Sequence, residues 1–142
     1  MTNALYTAHA HVAGGRNGRA RTADGRLDLA LRQPKELGGD GEGANPEQLF
    51  AIGYAACFGT VLSMLGRRDR LRADDAEIDA SASLIPLDGG RFVLSAELRI
   101  TLPSLTGEQA AALVKAAHEV CPYSNATRGN IDVALVVNGA KL

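Results

Sequence analysis

Apolar and polar positions divide the chain into stretches of clearly different period. After Asn45-Pro46-Glu47-Gln48, nearly every residue from Leu49 through Ala55-Ala56-Cys57-Phe58 to Leu65 is apolar or small. A helix is expected to begin at Asn45, whose side chain can accept a hydrogen bond from an unpaired helical N–H. Pro46 suits the first helical position, and Gln48 stands where a capping box needs it. This helix has little solvent face and should form the core around which other elements pack. Its end is expected near Gly66, because Arg67-Arg68-Asp69-Arg70 interrupts the apolar stripe and glycine favours a helix terminus. The basic cluster reads as a solvated end favoured by the helix dipole.

Elsewhere the pattern alternates with the period of strands. Ala4 to Val12 alternates loosely, as a half-buried strand does; a glycine-rich turn with two arginines follows at Gly14 to Arg19. A strand near Ala20 to Thr22, a turn at Ala23-Asp24-Gly25 and a strand at Leu27 to Leu31 complete a small antiparallel meander. The stretch from Gln33 to Ala44 is a loop, either functional or a plain connector. Beyond the core helix, Glu77 to Leu87 and Phe92 to Leu102 form a hairpin across Asp88-Gly89-Gly90, with Pro86 at an edge or strand end. Thr106 and Gln109 then supply a capping box for a helix running to about Val120. Ala110, Leu113, Val114 and Ala117 form its buried face, and Cys121-Pro122 closes it. Tyr123 to Asn130 is a turn or short helix, and Ile131 to Val137 a last strand. The layout is α+β, sheet on helix. A helix apolar on nearly all sides needs more cover than two small sheets supply, which points to a partner subunit.

Length and charge narrow the classes. The 142 residues fit a single domain, 1–142, with a substantial core. Fifteen Lys and Arg balance sixteen Asp and Glu, so charge makes no case for nucleic acid or an anionic membrane. Residues 1–30 contain no continuous apolar segment of a secretion signal, and Glu47, Gln48, Gly53 and Tyr54 interrupt the one stretch that approaches a bilayer span. The chain reads as a cytoplasmic protein. Its two cysteines, Cys57 and Cys121, match no zinc spacing and are too few for a secreted disulfide framework. Two buried free thiols or a redox pair both fit.

A cysteine reacts as its thiolate, which cations favour and apolar surroundings disfavour. Cys57 lies mid-helix, far from the helix N-terminus, and needs a cation from another element. Arg16, on the glycine-rich turn, is the candidate, and Glu47 the candidate partner for its charge. Ten residues of helix place Glu47 about 15 Å from Cys57. Glu47 therefore acts through Arg16, in its own chain or in a partner's. Cys121 pairs with Cys57 only if their Cα atoms come within roughly 7 Å. His9 and His11 share a strand face without further ligands, so no metal site is expected. Asn125-Ala126-Thr127 matches a glycosylation pattern that has no meaning for a cytosolic chain, and Gly14 to Gly18 lacks the ending of a phosphate loop.

The stretch from Asn45 to Phe58, together with Val120-Cys121-Pro122-Tyr123-Ser124-Asn125-Ala126-Thr127-Arg128-Gly129-Asn130 and the Gly14-Gly15-Arg16 turn, resembles the OsmC/Ohr family. Within that family it is most similar to the organic hydroperoxide resistance (Ohr) branch, and the likeness covers essentially the whole chain. The resemblance implies an α+β fold with two antiparallel sheets around long buried central helices, in an intertwined homodimer with active sites at the subunit interface. It also implies thiol-dependent reduction of organic hydroperoxides, including fatty-acid hydroperoxides, with a lipoylated protein or another dithiol as reductant and no cofactor. Cys57 falls on the peroxidatic position, Cys121 on the resolving one, and Arg16 and Glu47 on the pair that activates the thiolate. Phe50, Tyr54 and Phe58 are candidate substrate-binding residues, since a hydrocarbon tail gains roughly 0.8 kcal/mol per buried CH₂. Asn17 departs from the acidic residue expected after Arg16 in many relatives. The alternatives are an OsmC-branch peroxidase with another peroxide preference, a redox-sensing or binding module, and a fold-mate with inert thiols.

Overall fold

In the computed structural model, which describes residues 3–142, helix α1 (Pro46–Asp69) begins where the sequence indicates. The Asn45 side-chain oxygen accepts from the Gln48 N–H at 2.9 Å, and the Gln48 side chain accepts from the Asn45 N–H at 3.2 Å. The helix ends later than expected. It passes Gly66 and stops after Asp69, where Arg70 takes the left-handed conformation (φ 58°) and the Leu71 N–H donates back to the Gly66 carbonyl at 2.8 Å. Gly66 instead marks a close approach, because a Cβ there would lie 2.8 Å from both the Ala73 Cβ and the Leu71 carbonyl oxygen. Removing the side chain lets the descending chain cross back over the helix.

The chain divides into two compact units, Met1–Leu49 and Phe50–Leu142. The first contains the meander β1 (Ala10–Ala13), β2 (Arg19–Thr22) and β3 (Asp28–Ala30), in that order and antiparallel throughout. The expected first strand from Ala4 is therefore shortened and shifted. Its four residues pair with the four of β2 and are all exposed, where half-burial was expected. Between β1 and β2 the chain makes one 3-10 turn, Gly15–Asn17, entered through Gly14 at φ 80°. A Cβ on Gly18 would fall 1.6 Å from the Ala13 carbonyl, so that turn closes only on glycine. The long loop is no floppy connector. The Ala44 N–H donates to Ala30 at 2.9 Å and the Arg32 N–H to Ala44 at 3.0 Å, which ties its two ends together.

In the second unit the hairpin β4 (Glu77–Pro86) and β5 (Phe92–Thr101) forms as expected, with Pro86 at the strand end. Helix α2 (Gly107–Val120) carries its Thr106–Gln109 capping box and buries Ala110, Leu113, Val114 and Ala117. A short helix α3 (Pro122–Thr127) leads to β6 (Val133–Val137) and to a two-residue strand β7 (Ala140–Lys141) that the pattern is too short to reveal. The sheet order is β4-β5-β6-β7, and β6 runs parallel to β5. This second sheet is therefore mixed, where an antiparallel one was expected. The α2–α3 segment is long enough to act as a crossover, which parallel neighbours require.

The core of this unit joins Tyr54, Phe58 and Leu62 of α1, Leu98 and Ile100 of β5, Leu113 and Val114 of α2, and Leu135 of β6. Helix α1 buries one face only: Tyr54, Phe58, Val61, Leu62 and Leu65 are inside, while Ile52 and Met64 are exposed. It is long and apolar enough to match a bilayer span by length and composition alone. One chain leaves the other flank of the helix uncovered, the shortage of cover that its apolar pattern predicts.

Candidate active site

The corner between α2 and α3 is where the sequence brings the two cysteines together. Cys121 is extended (φ −60°, ψ 126°), as a residue before proline prefers, so the chain turns sharply there. Its N–H is held by the Ala117 carbonyl at 2.8 Å and its own carbonyl accepts from Asn125 at 2.9 Å. The corner delivers Cys121, fully buried, to half-buried Cys57 on α1. Both the Cys121 thiol and the backbone N–H of Tyr123 lie near enough to Cys57 to act on its proton. Both are free thiols.

This pairing does not by itself make a nucleophile. Burial pushes the Cys57 thiol up, and the adjoining Cys121 pushes it further; the Tyr123 N–H opposes both. Loss of the Cys57 proton therefore needs a positive charge from outside the thiol pair.

Beside Cys57 stands an aromatic wall. Tyr123 packs against Tyr54 and Phe50 with ring centroids 5.6 Å and 6.1 Å away, and Phe50 meets Tyr54 edge-on at 6.0 Å. The Tyr123 phenol rests over Gly53, one helical turn before Cys57, where a Cβ would lie 2.5 Å from the hydroxyl. Of the three candidate substrate-binding residues, Tyr54 and Phe58 are completely buried in the core and offer no surface. Phe50 is half-buried, and so is Tyr123, which the sequence reading did not single out. Its signal was the glycine at 53, an otherwise unhelpful residue in a helix interior.

The second charged element belongs to the first unit. Arg16, on the 3-10 turn, makes a two-pronged bond to Glu47 at 2.8 and 2.6 Å. Bonding to Arg16 holds the Glu47 carboxyl below its ordinary range, and the same bond raises Arg16. Glu47 sits in the first turn of α1, where the helix dipole also favours a negative charge. Asn17 has a use of its own, since its side-chain oxygen accepts from the Gln33 N–H at 3.3 Å and ties the arginine turn to the following loop. His9 and His11 are exposed. Among the described residues no group of His, Cys, Asp or Glu side chains is arranged to hold a metal.

The chain is similar in sequence and fold to known proteins. Residues 39–136 match the family model described as OsmC-like protein. The chain is 50% identical over 135 residues to the organic hydroperoxide resistance protein of Xanthomonas axonopodis pv. citri, covering 94% of each. It is 45% identical to the organic hydroperoxide resistance protein OhrB of Bacillus subtilis, covering 93% of this chain and 97% of that one. A crystal structure of an organic hydroperoxide resistance protein from Elizabethkingia anophelis, with thiocyanate bound, superposes with a TM-score of 0.90 at 42% identity, covering 96% of this chain and 98% of that one.

Proposed function

This chain belongs to the OsmC-like protein family, and on that premise we propose that it is a cysteine-based peroxidase that reduces organic hydroperoxides, fatty-acid hydroperoxides among them, to alcohols. The observation that carries the reading is the thiol pair, in which Cys57 and Cys121 meet at the α2–α3 corner beside an aromatic wall. The names of its relatives support the substrate class.

In this reading the Cys57 thiolate attacks the distal oxygen of the hydroperoxide. The O–O bond breaks, the alkoxide leaves as an alcohol after taking a proton, and Cys57 becomes a sulfenic acid. The Cys121 sulfur then attacks the Cys57 sulfur. The S–OH bond breaks, hydroxide takes the Cys121 proton and departs as water, and a disulfide remains. A dithiol, such as a dihydrolipoyl group on a protein, reopens it by thiol–disulfide exchange and restores both thiols. The net change is one hydroperoxide and two thiol hydrogens converted to alcohol, water and a disulfide.

Arg16 is assigned the cation that Cys57 requires, and Glu47 the role of holding it. Guanidinium keeps its charge in any surroundings and offers two parallel N–H groups, which suits both a thiolate and a leaving alkoxide. Phe50 and Tyr123 are the half-buried aromatic residues assigned to the hydrocarbon portion of the substrate.

The uncovered flank of α1 supports a homodimer. A groove of about 750 Å³ runs along it, lined by Ala55, Ala56, Gly59, Ser63 and Met64 among others. Small side chains there allow a second helix to approach closely, and a second copy of this chain is the partner proposed. The cytoplasm, where thiols are kept reduced, is the compartment proposed.

The test is single-turnover oxidation of the reduced protein by tert-butyl hydroperoxide and, separately, by hydrogen peroxide, followed by intact mass and peptide mapping. Faster reaction with the organic peroxide, ending in a Cys57–Cys121 link, is expected. Thiols left intact by the organic peroxide would sink the reading.

A further inference from the structure

Behind the thiol pair lies a chain of buried polar groups that the chemistry above does not use. The Tyr54 hydroxyl lies 2.8 Å from the Ser124 hydroxyl and 3.3 Å from that of Thr127. The Ser124 hydroxyl is in turn 2.9 Å from Nδ1 of His118. Tyr54 and Ser124 are completely buried. A phenol and a serine hydroxyl that deep stabilise a fold little beyond what apolar groups of the same shape would do. What such a chain adds is direction, because each hydrogen bond is satisfied in only one arrangement of its carriers.

The carriers are the elements that meet at Cys121. Tyr54 belongs to α1, His118 to the last turn of α2, and Ser124 and Thr127 to α3. The His118–Ser124 bond therefore spans the Cys121–Pro122 bend, and Tyr54 fastens the far side of that bend to the helix bearing Cys57. Arg128 adds a second strap across it, donating to the His118 carbonyl and to the Asn125 side chain. Helix α3 has six residues, too few to hold an orientation through its own backbone bonds. Its side chains must fix it.

The hydrogens are also accounted for. Thr127 donates its hydroxyl hydrogen to the Ser124 carbonyl at 3.2 Å and has none left for Tyr54, whose own hydrogen goes to the nearer oxygen, that of Ser124. With His118 neutral and Nδ1 accepting, Ser124 donates to His118 and Tyr54 donates to Ser124, which leaves no hydroxyl hydrogen without an acceptor. Burial and the Arg128 charge both favour that neutral imidazole.

We propose that Tyr54, Ser124 and His118 are positioning residues for the resolving step: their hydrogen-bonded chain locks the α2–α3 corner onto α1 and thereby aims the Cys121 sulfur at Cys57. The inference rests on the two-cysteine peroxidase reading and deepens it. Attack of Cys121 on the Cys57 sulfenic acid requires the incoming sulfur in line with the breaking S–OH bond, and a displacement of about 1 Å can cost on the order of 10²-fold in rate. The peroxide step uses Cys57 alone as nucleophile; Cys121 and the Tyr123 N–H act on that thiol with opposite signs, so loosening the corner changes this step far less than the resolving one.

Separate measurement of the two steps tests this. Reduced protein is mixed with one equivalent of tert-butyl hydroperoxide, sulfenic acid is trapped with dimedone at timed intervals, and disulfide is read by intact mass. Tyr54→Phe, Ser124→Ala and His118→Ala are expected to form sulfenic acid within about twofold of the wild-type rate but to close the disulfide roughly tenfold or more slowly. Sulfinic acid should accumulate in these variants when peroxide is in excess. His118→Asn, whose amide oxygen can stand in for Nδ1, should restore most of the closure rate. A purely structural role predicts no such rescue and slows both steps together, which would overturn the proposal, as would closure at the wild-type rate in all three variants. Should Ser124→Ala fail to fold, Tyr54→Phe, which removes a single oxygen atom, carries the test. Wild-type protein that yields neither sulfenic acid nor disulfide refutes the peroxidase reading itself, whereas reactive wild type with unaltered variants refutes only the positioning role.

Discussion

Burial and the neighbouring Cys121 raise the Cys57 thiol, so its nucleophilic form depends on a charge that the thiol pair lacks. Arg16→Ala is expected to lower peroxide reactivity at pH 7 by on the order of 10²-fold or more. Because a cation favours the thiolate, its removal moves the apparent pKa of Cys57 upward, and the loss should shrink as pH rises. Stopped-flow oxidation across pH 6 to 10 reads this; an unchanged profile would take Arg16 out of the mechanism. Glu47 follows the opposite sign. Its carboxyl is held down by Arg16, so the pair contributes fully above the ordinary Glu pKa of about 4.3 and is lost as pH falls through the depressed value. Gly53→Ala sets two effects against each other. Alanine gains about 1 kcal/mol in a helix interior, but a Cβ 2.5 Å from the Tyr123 hydroxyl is overpacking that costs typically 1–3 kcal/mol. Tyr123 is wedged against Phe50 and Tyr54 and cannot swing freely, so a net loss of stability is expected, with a changed reactivity at Cys57. Thermal unfolding that shows a higher midpoint would mean that Tyr123 yields.

At the scale of elements, helix ends carry most of the specification. The two capping boxes, at Asn45–Gln48 and Thr106–Gln109, start α1 and α2 as the sequence announces. The end of α1 was legible only in part, because a glycine can terminate a helix or admit a close neighbour and the string of letters is the same in both cases. Gly66→Ala tests the second use. Inside the helix alanine would by itself be favoured over glycine, but the Leu71 carbonyl and Ala73 leave no room for a Cβ, and a midpoint lower by several degrees is expected. The α2–α3 corner should respond to acid. His118 is held below its ordinary value of 6.5 by burial and then by Arg128, with Glu119 opposing. A depressed histidine contributes stability in full above its unfolded pKa and loses it as pH falls below that value. Amide signals of α3 should therefore shift and broaden as the pH falls below 6.5 in the wild type and not in His118→Asn; the same acid response in both would exclude His118.

At the scale of the whole molecule, the one-sided burial of α1 is what bears on assembly. Its inner face is core, while Ile52 and Met64 stay exposed beside a groove of small residues. Leaving that much apolar surface in water is costly, and a second copy offers a complementary surface by symmetry. Sedimentation equilibrium is expected to return the mass of two chains, and Met64→Glu to shift it toward one. A monomer at micromolar concentration with full peroxidase activity would exclude the dimer from the function.

The sequence by itself determined the period of every long element, the caps of both main helices, the buried face of α2 and the residue types that peroxide chemistry needs. These are local properties, set by side-chain spacing and by which residue can satisfy a free backbone group. It could not say that Cys121 lies against Cys57, that Tyr54 and Phe58 belong to the core, or that Tyr123 leans on Gly53. Those depend on a sharp bend at Cys121-Pro122 and on a parallel β5–β6 pairing, both decided by contacts between residues far apart along the chain. Two-residue β7 was invisible for the same reason, since so short a strand exists only because β6 is there to pair with it. Local pattern sets what each segment can be; long-range packing chooses which of its side chains meet.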